Sequence, residues 1–387
     1  MNNKKTKIVM NAMVANEART ITRMLESVYP YIDYWVVQDN GSVDGTQEII
    51  RNFFKEKNIP GFLYETEWKF PGYNRDHALQ ECLKADHGCD WILRMDADER
   101  LEVDEDFDWS ILDNTDIDSW NIIVRSFDTK YFRTWFWNAR RPWFFQHDKR
   151  HETIHLPEVG ENFTRVTLPE SFRHIVTNDG QTWAAPRKFL RDALELEIDK
   201  VVGNTVLEDH YHLWYVGKSY ADCYGKPEEL PFGKEHSDEY ARRAIWYFKQ
   251  WLKVSHNYYE TGKPDRIDEM AYVTFLIFYN CYSFMGNNDL AEKSLIEAEP
   301  FAPARNEHIL YLALHKETQG KFEEALEIVN RLINDARPNP FPSYCFLIEN
   351  RAYTDSSNYL IEYREQLKRR LSEPPVLSNQ GVEFDFQ

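Results

Sequence analysis

The chain has 387 residues and a formal net charge of −18, which allows one large domain or two ordinary ones. So acidic a molecule has no general affinity for polyanions, which argues against nucleic acid or an anionic membrane as its partner. Apolar residues at 42% and charged residues at 28% place it among globular chains, and 15% aromatics suit large buried cores or surfaces that stack sugars and bases.

Five scattered cysteines (Cys82, Cys89, Cys223, Cys281 and Cys345) form no CxxC pair, so neither a disulfide framework nor a zinc knuckle is expected. The opening MNNKKTKIVMNAMVANE lacks the apolar stretch of a secretory leader, and no run reaches the ~20 apolar residues of a membrane span. These features predict a soluble, cytoplasmic protein.

The first half alternates short apolar runs with amphipathic stretches. A strand is expected over 7–14 and a helix over 17–28, where Ile21, Met24, Leu25 and Val28 repeat at helical spacing. A second strand follows at 33–37. Asp44 then reads as the N-cap of a helix over 44–57 with Ile49, Ile50, Phe53 and Phe54 on its apolar face. A strand at 61–65, a helix at 74–84 and a strand at 90–95 complete the series. Strands alternating with helices imply right-handed βαβ units and a parallel sheet, with ligands beyond the carboxyl ends of its strands. Those ends carry Asn16-Glu17, Asp39-Asn40-Gly41, Glu65 and Asp96-Ala97-Asp98. From 119 to 172 the runs SWNIIVRSF, KYFRTWFW, RPWFFQ and RVTLPE predict further strands in an appended mixed sheet.

From 186 onward helices dominate, beginning with PRKFLRDALELEIDKVV. Gly286 and Gly320 stand 34 residues apart, as do Ala291 and Ala325, which is the tetratricopeptide period. The expected division is an α/β domain over 1–185, tetratricopeptide-like helices over 186–373 and a loose tail over 374–387. A generic helical bundle is the plainer reading of the second part.

The run WILRMDADERLEV ends in three acids within four places. Two acids at i and i+2 after a buried strand can aim hard oxygen ligands at one Mg²⁺ or Mn²⁺. The bland alternative is a solvated turn. DNGSVDGT is a Gly-rich strand-to-helix turn, with Asp39 placed to accept a base N–H or to serve ordinary turn chemistry. Arg75, at the opening of a helix, suits either a diphosphate or a structural salt bridge. The aromatic stretch 130–145 suits an acceptor wall or a strand core.

The order VANEARTITRMLESV, DNGSVDGT, NRDHAL, DWILRMDADE resembles the signature of glycosyltransferase family two on a GT-A fold. Its elements are V-x-N-E, D-x-G-S-x-D-G-T, R-N-x-A-L and D-A-D-E; here Asp76 stands where Asn usually follows the Arg. The likeness is dense over 7–103 and thinner through Arg150-His151-Glu152 and PRKFLRDALELE, which are similar to elements of a subgroup with C-terminal helical repeats. It implies a nucleotide-sugar donor, a divalent metal (Mn²⁺ or Mg²⁺) and inversion at the anomeric carbon. On this resemblance Asn16, Glu17, Asp39, Asn40, Arg75 and Asp96 bind the donor, Asp39 at the base and Arg75 at the base or diphosphate. Asp96 meets the ribose or the metal and Asp98 the metal; His151 and His174 are candidates for a third metal ligand. Inversion needs a base for the acceptor hydroxyl, and Glu152, with Asp148 behind it, is the candidate.

The donor expected is a UDP-sugar. The acceptor is a glycan, a protein or a lipid-linked sugar, and the helical faces allow a homo-dimer. Two other readings fit parts of the chain: a tetratricopeptide interaction protein with an inert transferase half, and a nucleotidyltransferase. MVANEART does not supply the Gly-rich basic loop that the latter requires.

Overall fold

The computed structural model describes residues 6–126, 129–145, 154–160, 162–177, 179–180, 188–202, 210–224, 237–255, 264–335, 337–340, 347–355 and 357–372. The chain divides into two compact units, Met1–Ala185 and Pro186–Gln387.

In the first unit β1 (Ile8–Val14), α1 (Ile21–Val28), β2 (Tyr34–Asp39), α2 (Thr46–Lys57), β3 (Gly61–Glu65), α3 (Pro71–Lys84) and β4 (Trp91–Met95) form the expected alternation. There follow β5 (Glu99–Val103), β6 (Ser119–Ser126), β7 (Thr129–Asn138), β8 (Phe144–Phe145), β9 (Ile154–His155), β10 (Arg165–Thr167) and β11 (Phe172–Val176). The sheet runs β3-β2-β1-β4-β7-β6-β11-β5, with β10 beside β6. Strands β1 to β4 are mutually parallel where they pair, whereas β7 is antiparallel to β4 and β6. β5 pairs antiparallel with β11. This mixed sheet is the GT-A architecture.

Alternation along buried strands sorts side chains into two cores, because successive residues face opposite sides. Ile8, Met10, Ala12 and Val14 join Trp91, Leu93 and Met95 on the side of α1 and α2. Val9, Val36 and Ile92 pack with Leu79 and Cys82 of α3 on the other. Four residues of the aromatic stretch, Phe136, Trp137, Trp143 and Phe145, are at most 2% exposed. They are therefore core rather than an acceptor wall.

Several expected boundaries shift for local reasons. α1 begins at Ile21, because Glu17–Thr20 form a turn with Thr20 N donating to Glu17 O at 3.0 Å. The N-cap of α2 is Gly45, at φ +94°, and not Asp44; Asp44 Oδ1 instead accepts from Thr46 N at 3.1 Å. α3 starts at Pro71, whose missing N–H costs nothing in a first turn. β5, β9 and β11 were not expected, being short or without clear alternation.

Gly61 shows how tightly β3 lies on β2. A Cβ there would sit 2.2 Å from Trp35 O and 2.5 Å from the Trp35 ring. Gly61→Ala should lower stability by roughly 1–3 kcal/mol through overpacking. A melting temperature equal to that of the unsubstituted protein would remove this account of the glycine.

The second unit is helical: α4 (Lys188–Val202), α5 (His210–Tyr224), α6 (Ser237–Ser255), α7 (Pro264–Phe284), α8 (Asn288–Ala298), α9 (Glu307–Thr318), α10 (Phe322–Asp335) and α11 (Tyr359–Ser372). Gly286 and Gly320, at φ +72° and +73°, turn the chain between α7 and α8 and between α9 and α10. Ala291 and Ala325 are wholly buried at matching places of α8 and α10. Thus each glycine of the 34-residue spacing sits in a turn between two helices. Among the described residues no helix is long and apolar enough to cross a membrane, and Cys82, Cys89, Cys223 and Cys281 are buried. The tail over 374–387 lies outside the described residues.

Candidate functional site

Register brings the strand ends together: Val14 is level with Asp39, and Asp39 with Glu65. Two loops leaving these ends are laced to each other. Asn16, at φ +57°, donates its N–H to Ser42 Oγ at 2.8 Å and accepts from Val43 N at 2.9 Å. Glu17 N donates to Thr46 Oγ1 at 2.8 Å, and Ala18 N to Asp44 Oδ2 at 2.9 Å. Asn16 and Glu17 thus shape the turn that carries Asp39. Asn40 spans to the next strand end, its Nδ2 donating to Thr66 O at 3.4 Å.

Asp39 is fully buried. Its Oδ1 accepts from Gly41 N at 3.0 Å, Ser42 N at 2.8 Å and Gln47 Nε2 at 2.9 Å. Its Oδ2 is buried with no hydrogen-bond partner. A buried carboxylate oxygen without a donor is costly, so this one is suited to a ligand N–H.

Beyond β4 and β7 the acids meet arginines. Arg75 Nη1 lies 3.2 Å from Asp96 Oδ1, and Arg94 Nη2 lies 3.6 Å from Asp96 Oδ2. Arg133 pairs with Glu99 and donates to Tyr131 OH at 2.8 Å. Arg94 and Arg133 both lie over the Trp135 ring, at 3.8 and 4.2 Å from its centroid. Burial would raise the Asp96 carboxyl, but Arg94, Arg75 and Arg133 outweigh it and hold it at about 2. Burial raises Asp98, and the Asp96 charge beside it adds to the rise. Burial also raises Glu99, against the pull of Arg133.

Arg94 and Arg133 were not among the expected site residues. The available signal was Arg94 itself, an arginine in a fully buried five-residue strand and two places before Asp96, hence on the same face. Nothing local marked Arg133, which reaches the site only through the pairing of β7 with β4.

His174 is fully buried, its Nδ1 3.5 Å from Glu99 Oε2, and burial lowers its pKa to about 3. It is a neutral imidazole packed against Trp135, with ring centroids 6.1 Å apart. Among the described residues no group of three or more His, Cys, Asp and Glu is arranged to hold a metal ion, so His174 does not join Asp96 and Asp98 in a three-ligand set. The two aspartates still suit a hard cation. Mg²⁺ in particular is commonly held by one or two carboxylates together with substrate phosphates. The like charge raising Asp98 is what such a cation would relieve. Asp148, His151 and Glu152 lie outside the described residues.

Among solved structures the chain is similar to S. aureus TarS 1-349, at 15% identity and a TM-score of 0.34, covering 76% of this chain and 90% of that one. It is also similar to a second S. aureus TarS structure, at 14% identity and a TM-score of 0.36, covering 76% of this chain and 55% of that one. No curated protein matches the chain. The family described as Glycosyl transferase family 2 matches residues 13–156. That span contains Asp39, Arg75, Asp96 and Asp98, so the likeness to this family falls on the candidate site.

Proposed function

We propose that this protein is a metal-dependent, inverting glycosyltransferase that moves a sugar from a nucleotide-sugar, with UDP as the nucleotide, to a hydroxyl of a glycan, protein or lipid-linked acceptor in the cytoplasm. The observation that carries this reading is the unpartnered, fully buried Oδ2 of Asp39, on the strand edge that leads to Arg75 and the paired aspartates. A uracil ring offers the N–H that this oxygen lacks. Arg75, anchored on Asp96, supplies a planar donor fork for the diphosphate. Asp98 and Asp96 would hold Mn²⁺ or Mg²⁺, whose chemistry there is Lewis-acid neutralisation of the departing diphosphate. The acceptor oxygen displaces that diphosphate at the anomeric carbon: one C–O bond forms as another breaks. Glu152, with Asp148 behind it, takes the hydroxyl proton in this reading. The helices after 186 are read as tetratricopeptide-like pairs that recognise the acceptor or a second copy of the chain.

The test is calorimetry of UDP, GDP and their sugars against the full chain, first with Mn²⁺ and then with EDTA. Metal-dependent binding of UDP in preference to GDP is expected. Absence of binding by every nucleotide would overturn the reading in favour of an interaction protein with an inert transferase half.

A further inference from the structure

A short segment after β11 is fastened to α1 and pressed onto the second aspartate of the acidic pair. Arg23 Nη1 donates to Asp179 Oδ2 at 2.9 Å, and its Nη2 reaches Asp179 Oδ1 at 2.6 Å and Thr177 Oγ1 at 2.7 Å. Arg19, just before α1, donates to Asp179 O. Thr177 N donates to Asp98 O at 3.3 Å, and Thr177 Oγ1 lies 2.7 Å from the same carbonyl. Gly180 completes the approach. A Cβ there would stand 3.1 Å from both Cβ and Cγ of Asp98 and 3.2 Å from its Oδ2. A side chain at this position would press on the Asp98 carboxylate.

The Arg23–Asp179 pair is a poor candidate for a stability device. Its side chains are 34% and 39% exposed, and exposed pairs contribute little to folding. Its geometry is nevertheless bidentate, the arrangement that fixes orientation. Beside it, Thr177 lies against the Asp98 carbonyl and Gly180 against the Asp98 side chain.

We propose that Arg23 and Asp179 are positioning residues: their clasp holds Thr177 and Gly180 against Asp98 and so sets where the Asp98 carboxylate meets a divalent cation. This rests on the transferase reading above. It assigns to α1 a part in the cation subsite that neither residue plays by contact.

Arg23→Gln and Asp179→Asn, made in the full chain, should each speed backbone hydrogen exchange over 97–101. At saturating UDP each should weaken Mn²⁺, followed by the EPR signal of the free ion, by about tenfold, the usual consequence of losing an outer-shell partner. UDP affinity without metal should change less than twofold, and the charge-swapped pair Arg23→Asp/Asp179→Arg should recover part of the loss. Gly180→Ala, which leaves the clasp intact and displaces Asp98, should weaken Mn²⁺ as well. Melting curves of each variant separate these effects from misfolding. If the unsubstituted protein binds Mn²⁺ with UDP and the variants bind it equally well, the clasp has no positioning role. If the unsubstituted protein binds neither, the transferase reading fails and the clasp's role fails with it.

Discussion

Replacing Asp98 with alanine should lower turnover by about a thousandfold and abolish its dependence on Mn²⁺, since Lewis-acid assistance supplies several kcal/mol and each ~1.4 kcal/mol is tenfold in rate. The two aspartates are not equivalent, which is why Asp98 is the decisive one. Asp96 already has Arg75 at 3.2 Å and Arg94 at 3.6 Å, and its carboxyl is held at about 2. Asp98 is raised by burial and by the charge of Asp96, so added positive charge gains most there. Initial rates measured across an Mn²⁺ titration check this. Mn²⁺-stimulated turnover retained in Asp98→Ala would sink the metal assignment. Asp96→Ala differs in kind, because it also releases two arginines from their shared partner and should lower the melting temperature together with the rate.

The second large effect belongs to the helical unit. Arg305 is 2% exposed; its Nη1 lies 2.5 Å from Glu269 Oε2 and its Nη2 2.7 Å from Glu307 Oε1. The guanidinium also lies over Tyr272, 4.5 Å from the ring centroid. Glu307, itself 1% exposed, accepts from Arg305 Nε at 3.1 Å, Tyr353 OH at 3.0 Å and Glu349 N at 3.1 Å. The network therefore ties α7 and the start of α9 to the segment before α11. Arg305→Met leaves two buried carboxylates facing one another, and loss of one partner from a buried pair destabilises by about 3–5 kcal/mol. Guanidinium unfolding followed by far-ultraviolet dichroism, which reports mainly on helices, should show the corresponding fall. Replacing Arg305, Glu269 and Glu307 together with apolar residues of similar volume should cost much less, because no unpaired charge is left. A drop below ~1 kcal/mol for Arg305→Met would show that the network is more hydrated than its burial implies.

Local patterning accounts for much of the first unit. The strands from β1 to β4 and the helices between them follow from alternation and helical spacing, each a property of ten or so neighbouring residues. The consequence that Asp39, Glu65 and the paired aspartates end on one edge follows too, because parallel βαβ units leave their strand ends on the same side. In the second unit the glycine spacing located two helix turns, since a positive φ at the end of a helix favours a residue without a Cβ.

What escaped local reading is what depends on distant pairing. β5 reads as a charged stretch, ERLEV, and becomes a strand because β11, some seventy residues later, supplies its hydrogen bonds. Arg133 meets Glu99 because β7 inserts between β4 and β6, and Asp179 meets Arg23 across 156 residues of chain. Residue spacing was enough to put two acids side by side just after β4. Only the folded sheet determines that Asp96 is already claimed by arginines while Asp98, under Thr177 and Gly180, is not held in the same way: charge compensation is a matter of distance in space, and that distance is set by strands far apart in the chain.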